Sequence, residues 1–199
     1  FEASYTQMTD PGASQPKVHG LQVFSMADST LGGKLTGVTD FLCEYSTVVL
    51  NLVRNQISGS LGTGEEDFNA GAMVNLEVLS LSNNADISGS LDSLSSMDSL
   101  KVVSMQTGEN SKGLSGGLDP IYGLEKLQFF SVHGNAQLGG SLDGKGLTQM
   151  TSLEHFDVTG CGLTGTVPHE LGNMSVLEFG LLKDNELSGE LDACSLIDD

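Results

Sequence analysis

The feature that most constrains this chain is that it says the same thing several times. Leu163-Thr-Gly165 returns as Leu187-Ser-Gly189 after 24 residues, and between them runs Leu177-x-x-Gly180-x-Leu182-x-x-Asn185-x-Leu187. A fixed interval of this size means one short structural unit stacked on copies of itself. Earlier copies carry the same apolar order. The first is degenerate, with Leu21, Phe24, Met26, a Ser29 where Asn is expected, and Leu31, Gly33 and Leu35. The second ends on Leu50, Leu52, Asn55, Ile57, Gly59 and Leu61, and the third on Leu79, Leu81, Asn84, Ile87, Gly89 and Leu91. The fourth has Val103, Met105, Leu114, Gly116 and Leu118, the fifth Phe130, Val132, Asn135, Leu138, Gly140 and Leu142, and the sixth Phe156, Val158, Cys161, Leu163, Gly165 and Val167. An eighth is only begun at Leu191.

The leading positions Leu21, Thr47, Leu76, Leu100, Leu127, Leu153 and Leu177 are spaced 24 to 29 residues apart. Stacked coils tolerate such variation, because extra residues loop out without disturbing the core. In x-L-x-L-x the alternation has a strand's period of two, sending Leu79 and Leu81 inward while Val78, Ser80 and Ser82 face out. One such strand cannot bury its own face, so it stacks on the next in parallel. The turn that follows leaves buried backbone groups, which an inward Asn amide can satisfy as both donor and acceptor. Asn55, Asn84, Asn135 and Asn185 are therefore expected to form a structural ladder, with Cys161 at the same step as a small buried thiol.

These motifs resemble the leucine-rich repeat, L-x-x-L-x-L-x-x-N-x-L, and the segments ISGSL, LTGTV and LSGEL with GTVPHELGNMSVLEF resemble its plant-type subfamily. The resemblance implies an α/β-type repeat solenoid made mostly of strand and loop. It would be a curved right-handed superhelix of about seven repeats, with a parallel β-sheet on the concave face and a short second strand after each Asn. It also implies a recognition module, since receptor-kinase ectodomains and polygalacturonase-inhibiting proteins are built this way. The chain departs from that subfamily in carrying Asp92, Asp119, Asp143 or Asp192 where Pro is usual, and in lacking paired-cysteine caps. Residues 1–17, with Pro11, Gly12 and Pro16, read as an irregular arm or cap, and 18–199 as the solenoid.

Composition agrees with a thin stack: 26 Gly, no Trp and 6% aromatic residues cannot fill a thick interior. The formal net charge of −18 repels phosphate backbones, so nucleic acid is not an expected partner, whereas a cationic surface is. No apolar run is long enough to span a bilayer, and a chain starting Phe1-Glu2 reads as processed. That start favours the cell surface or an organelle lumen over the cytoplasm. With three cysteines, Cys43, Cys161 and Cys194, at least one is unpaired within the chain.

Outward positions of successive strands should line up as rows across the sheet. One row reads Val23, Val49, Val78, Val102, Phe129, His155, Phe179; the next Ser25, Asn51, Ser80, Ser104, Ser131, Asp157, Leu181; the third Ala27, Val53, Ser82, Gln106, His133, Thr159, Lys183. The C-terminal part of these rows, Phe129, Ser131, His133, His155, Asp157, Phe179 and Lys183, is the expected contact surface, because exposed aromatics on a rigid sheet anchor interfaces. Its partner would be a protein or a carbohydrate. His133, His155 and Asp157 lack the short ligand spacing of a metal site, and no cofactor or metal is expected. Extra residues in NNADI, GENSKGL and GNAQL form a second candidate edge, and GTGEEDF (62–68) reads as a solvated acidic loop without calcium-loop spacing. Asn173-Met174-Ser175 matches a glycosylation acceptor.

No nucleophile elbow or phosphate-cradling loop is present, so the reading is non-enzymatic: a binding or scaffold module. The alternatives are an accessory subunit or spacer of a larger assembly or cell-surface layer and, from a different class, an enzyme.

Overall fold

The computed structural model describes residues 20–190 apart from 43–45, 65–66, 69, 71–72 and 109–110. The expected arm (1–17), Cys43, Glu65, Glu66 and the opening of the eighth copy, Cys194 included, lie outside the described residues.

Among the described residues seven three-residue strands form one parallel sheet on the concave face: β1 (Val23–Ser25), β3 (Val49–Asn51), β5 (Val78–Ser80), β7 (Val102–Ser104), β9 (Phe129–Ser131), β10 (His155–Asp157) and β12 (Phe179–Leu181). Their register pairs Val23 with Val49, Val49 with Val78, Val102 with Phe129 and His155 with Phe179. The middle residue of each strand points into the stack, so Leu50, Leu79, Val103, Phe130 and Phe156 have no exposed surface. Phe130 and Phe156 stack with ring centroids 5.9 Å apart, filling the core where the aromatics are concentrated.

The second strand forms a flanking sheet, β2 (Gly32–Lys34), β4 (Gln56–Leu61), β6 (Asp86–Ser90) and β8 (Gly113–Ser115), and a separate pair, β11 (Thr164–Thr166) with β13 (Glu186–Ser188). The break falls at copy five, where Gly139 and Gly140 both take left-handed φ (64° and 83°) and only the bridge between Ser141 and Thr164 remains. Gly89 shows why the pattern needs glycine in this turn. Its φ is 104°, and a Cβ there would run into the backbone oxygen of Leu61 in the coil below.

Short returns carry the chain back along the opposite side: helices α1 (Thr36–Phe41) and α2 (Gly144–Leu147), and 3-10 turns at Asp92–Leu94, Asp119–Ile121 and His169–Asn173. The Asp residues that replace Pro have a physical role here. Asp92 and Asp119 open the first two 3-10 turns and Asp143 caps α2, accepting from Lys145 N at 3.1 Å, where a carboxylate suits the positive end of the turn. Among the described residues no helix is long and apolar enough to cross a membrane.

The acidic insertion differs from the solvated loop read from sequence. Asp67 Oδ2 accepts from Gly64 N at 3.0 Å, and Phe68 beside it is fully buried and bridges to Leu61. Its last residue is therefore a core plug, while Thr63 and Gly64 ahead of it are exposed.

Candidate recognition surface on the concave sheet

The ladder residues form the floor beneath the site. Asn84 Nδ2 donates to Leu52 O and Leu81 O, both at 2.9 Å, while its Oδ1 accepts from Ile57 N at 3.0 Å. Asn55, Asn135 and Asn185 repeat this exchange, each tying its own coil to the one before. Cys161 keeps only the donor half: Sγ donates to Val132 O at 3.3 Å, and Leu138 N bonds instead to Asn135 O. The thiol is free, and burial pushes its pKa up to about 12, so it stays protonated and packs as a small apolar group.

Copy four lacks the step. The residue before each ladder position is left-handed in the other copies, as at Arg54 (φ 54°), Asn83 (φ 59°), Gly134 (φ 83°) and Asp184 (φ 57°). Thr107 occupies that place in copy four, and a β-branched residue resists left-handed backbone. Among the described residues its hydroxyl is buried without a partner, and Ile87 N turns to Asn84 O at 3.2 Å.

On this floor the outward rows run as the strand register dictates. Phe129 and His155 stack face to face, 4.4 Å between centroids and 9° between planes, and His155 meets Phe179 at 5.6 Å and 45°. Phe129 and His155 are half-buried, whereas Phe179 is 54% exposed and Leu181 beside it 43%. The rings therefore make one continuous aromatic ridge across three strands paired in register.

The second row departs from the expected flat line of contact groups. Ser131 and Asp157 are buried, so neither can touch a partner directly. They belong to a polar network: Gln106 Nε2 donates to Ser131 Oγ at 2.9 Å, Ser131 Oγ donates to Asp157 Oδ2 at 3.2 Å, and Thr159 N donates to Asp157 Oδ1 at 3.0 Å. His133 lies over it with Nδ1 3.8 Å from Asp157 Oδ2, its side chain 53% exposed against 9% for Asp157. Ser131 and Thr159 thus satisfy the one carboxylate of these rows from within, and what faces solvent is aromatic, imidazole and hydroxyl. Lys183 closes the third row, 81% exposed and 3.3 Å from Asp184. Sequence reasoning missed Gln106 and Leu181 as members, although the period of two had placed both in the rows.

His133, His155 and Asp157 do not converge, and no group of three or more His, Cys, Asp or Glu among the described residues could hold a metal ion. At the insertion edge, Lys112 pairs with Asp86 at 3.0 Å and Lys112 N donates to Ala85 O at 2.9 Å, so the extra residues of copies three and four brace one another.

A parallel sheet built one strand per coil, with an asparagine ladder beneath it, decides the architecture. This is a leucine-rich repeat fold, and its repeats resemble the plant type. The Leucine Rich Repeat family model matches residues 152–174. A leucine-rich repeat receptor-like serine/threonine-protein kinase of Arabidopsis thaliana, RGI4, is 46% identical over 52 residues, which is 26% of this chain and 5% of that protein. Among solved structures, the leucine-rich repeat ectodomain of the Arabidopsis thaliana membrane receptor kinase GASSHO1/SCHENGEN3, in complex with CASPARIAN STRIP INTEGRITY FACTOR 2, superposes with a TM-score of 0.64 at 25% identity, covering 79% of this chain and 18% of that one. PEPR1 with AtPEP1 gives 0.66 at 22% identity over 83% of this chain and 24% of that one. The leucine-rich repeat protein LIC12759 of Leptospira interrogans gives 0.60 at 19% identity, covering 83% and 38%. The chain spans a small part of the length of each receptor it matches.

Proposed function

We propose that this leucine-rich repeat chain is a non-enzymatic recognition module that binds a protein partner through the C-terminal half of its concave sheet. The observation that carries the reading is the ridge Phe129, His155 and Phe179: stacked rings, half-buried at Phe129 and His155 and exposed at Phe179, on paired strands whose single carboxylate is buried and bonded. Aromatic anchors on a preorganised surface bind at low entropic cost. The remaining acidic surface, with net charge −18, favours a partner that carries an apolar anchor among basic residues. Support also comes from the ectodomain relatives, one of which is solved with CASPARIAN STRIP INTEGRITY FACTOR 2 bound. The same reading puts the module on the extracellular side.

The test is comparative capture of partners from native extract by immobilised chain. Replacing Phe129, His155 and Phe179 together by Ala should lower capture at least about tenfold, since each lost anchor is worth roughly 1 kcal/mol or more. Replacing Glu125, Lys126 and Gln149 on the return side should leave it unchanged. Equal capture by the ridge variant and wild type rejects the concave face.

A further inference from the structure

Asn173-Met174-Ser175 closes the return of the sixth copy, at the end of the 3-10 turn His169–Asn173. Asn173 and Ser175 are exposed, while Met174 between them is half-buried and packs against the core. Repetition explains the arrangement. Ser96, Gly123 and Gln149 occupy the step of Asn173 in earlier copies and are all exposed, and the next residues, Met97, Leu124 and Met150, are all buried. The apolar residue pins the segment, so its neighbours on either side face water whatever they are.

No other asparagine of the chain has Ser or Thr two residues on. The ladder asparagines could not serve in any case, because Nδ2 of Asn55, Asn84, Asn135 and Asn185 is committed to backbone carbonyls. Asn173 donates no side-chain hydrogen bond among the described residues, its x residue is not Pro, and the hydroxyl of Ser175 lies two residues on in exposed chain.

We infer that Asn173 is an N-glycan acceptor, an assignment that rests on the extracellular reading above. In the transfer, the amide nitrogen of Asn173 attacks C1 of an oligosaccharide carried on a polyprenyl diphosphate. The N–C1 bond forms, the bond from C1 to the diphosphate oxygen breaks, the diphosphate leaves with its electron pair, and the amide gives up one proton. The glycan would stand on the return side of the solenoid, leave the aromatic ridge open, and shelter Val176, an apolar side chain 42% exposed on the same segment.

The experiment is expression of the full chain behind a secretion signal in a eukaryotic host, read by intact mass before and after peptide N-glycosidase. Secreted wild type should carry one core oligosaccharide that the glycosidase removes. Asn173→Gln and Ser175→Ala should be secreted without it, and Ser175→Thr should keep it. Folded, secreted wild type with a bare Asn173 overturns the assignment. Glycopeptide analysis of the native protein separates the two readings: a bare Asn173 there, beside a modified secreted chain, keeps the acceptor and overturns the extracellular placement.

Discussion

At the scale of single residues, the stability of the stack rests on amides that do two jobs at once. Asn135 is fully buried, and its removal would orphan Leu114 N and Met105 O and take one of its donors from Val132 O. Asn135→Ala should cost about 3 kcal/mol in denaturant unfolding, the penalty of leaving several buried groups unpaired. Asn185→Ala, whose bonds are only partly buried at the end of the stack, should cost about 1 kcal/mol. Equal losses would show that burial does not set the value of the ladder.

Cys161 gives a pH signature of the same step. The unfolded chain titrates this thiol near 9.0, while burial holds the native one protonated to about 12. Between those values the unfolded state binds fewer protons, so the contribution of Cys161 to stability is complete below the lower value and is lost as pH rises through the window. Tyr122 is also pushed up by burial and shifts both proteins alike, so the informative quantity is wild type minus Cys161→Ala. That difference should be flat below about pH 8.5 and then fall. A difference that stays flat up to about pH 10.5 would contradict a buried, protonated thiol.

At the scale of the element, each strand contributes one residue to the core, and the terminal strand β12 contributes none. Gly180 takes the inward position opposite Phe156, and among the described residues a Cβ there would meet only Leu177 Cδ2 at 3.8 Å, ordinary contact. Gly180→Val should therefore stabilise the chain by about 0.5–1 kcal/mol, through strand preference and reduced freedom of the unfolded backbone. A loss of stability in urea titration would mean that the open space is needed by another group.

Strand register was legible because a period of two admits only one alternation, and it ordered all three rows. The fate of Ser131 and Asp157 was not, because their burial depends on Gln106 one strand away and on His133 lying over them, which no local pattern encodes. Phe68 was hidden for the opposite reason, an apolar residue beside acids in an insertion with no repeat to align it. The break in the flanking sheet falls at Gly139 and Gly140, and glycine alone does not announce its φ.

At the scale of the whole molecule, the chain is a stack of nearest-neighbour contacts with its acidic charge outside and one aromatic ridge near its C-terminal end. The solenoid follows from repetition, but a repeat pattern specifies only the positions that recur. The ridge is made of positions that vary, so its candidates could be named from the rows and their exposure could not. The most direct test of the central claim is photo-crosslinking with benzoylphenylalanine placed singly at Phe179 on the ridge and at Ser96 on the return side, in native extract. A discrete crosslinked partner is expected from position 179, competed by unlabelled wild-type chain and not by the Phe129, His155 and Phe179 alanine variant, and none from position 96. A competed partner from position 96 with none from position 179 would contradict recognition through the ridge.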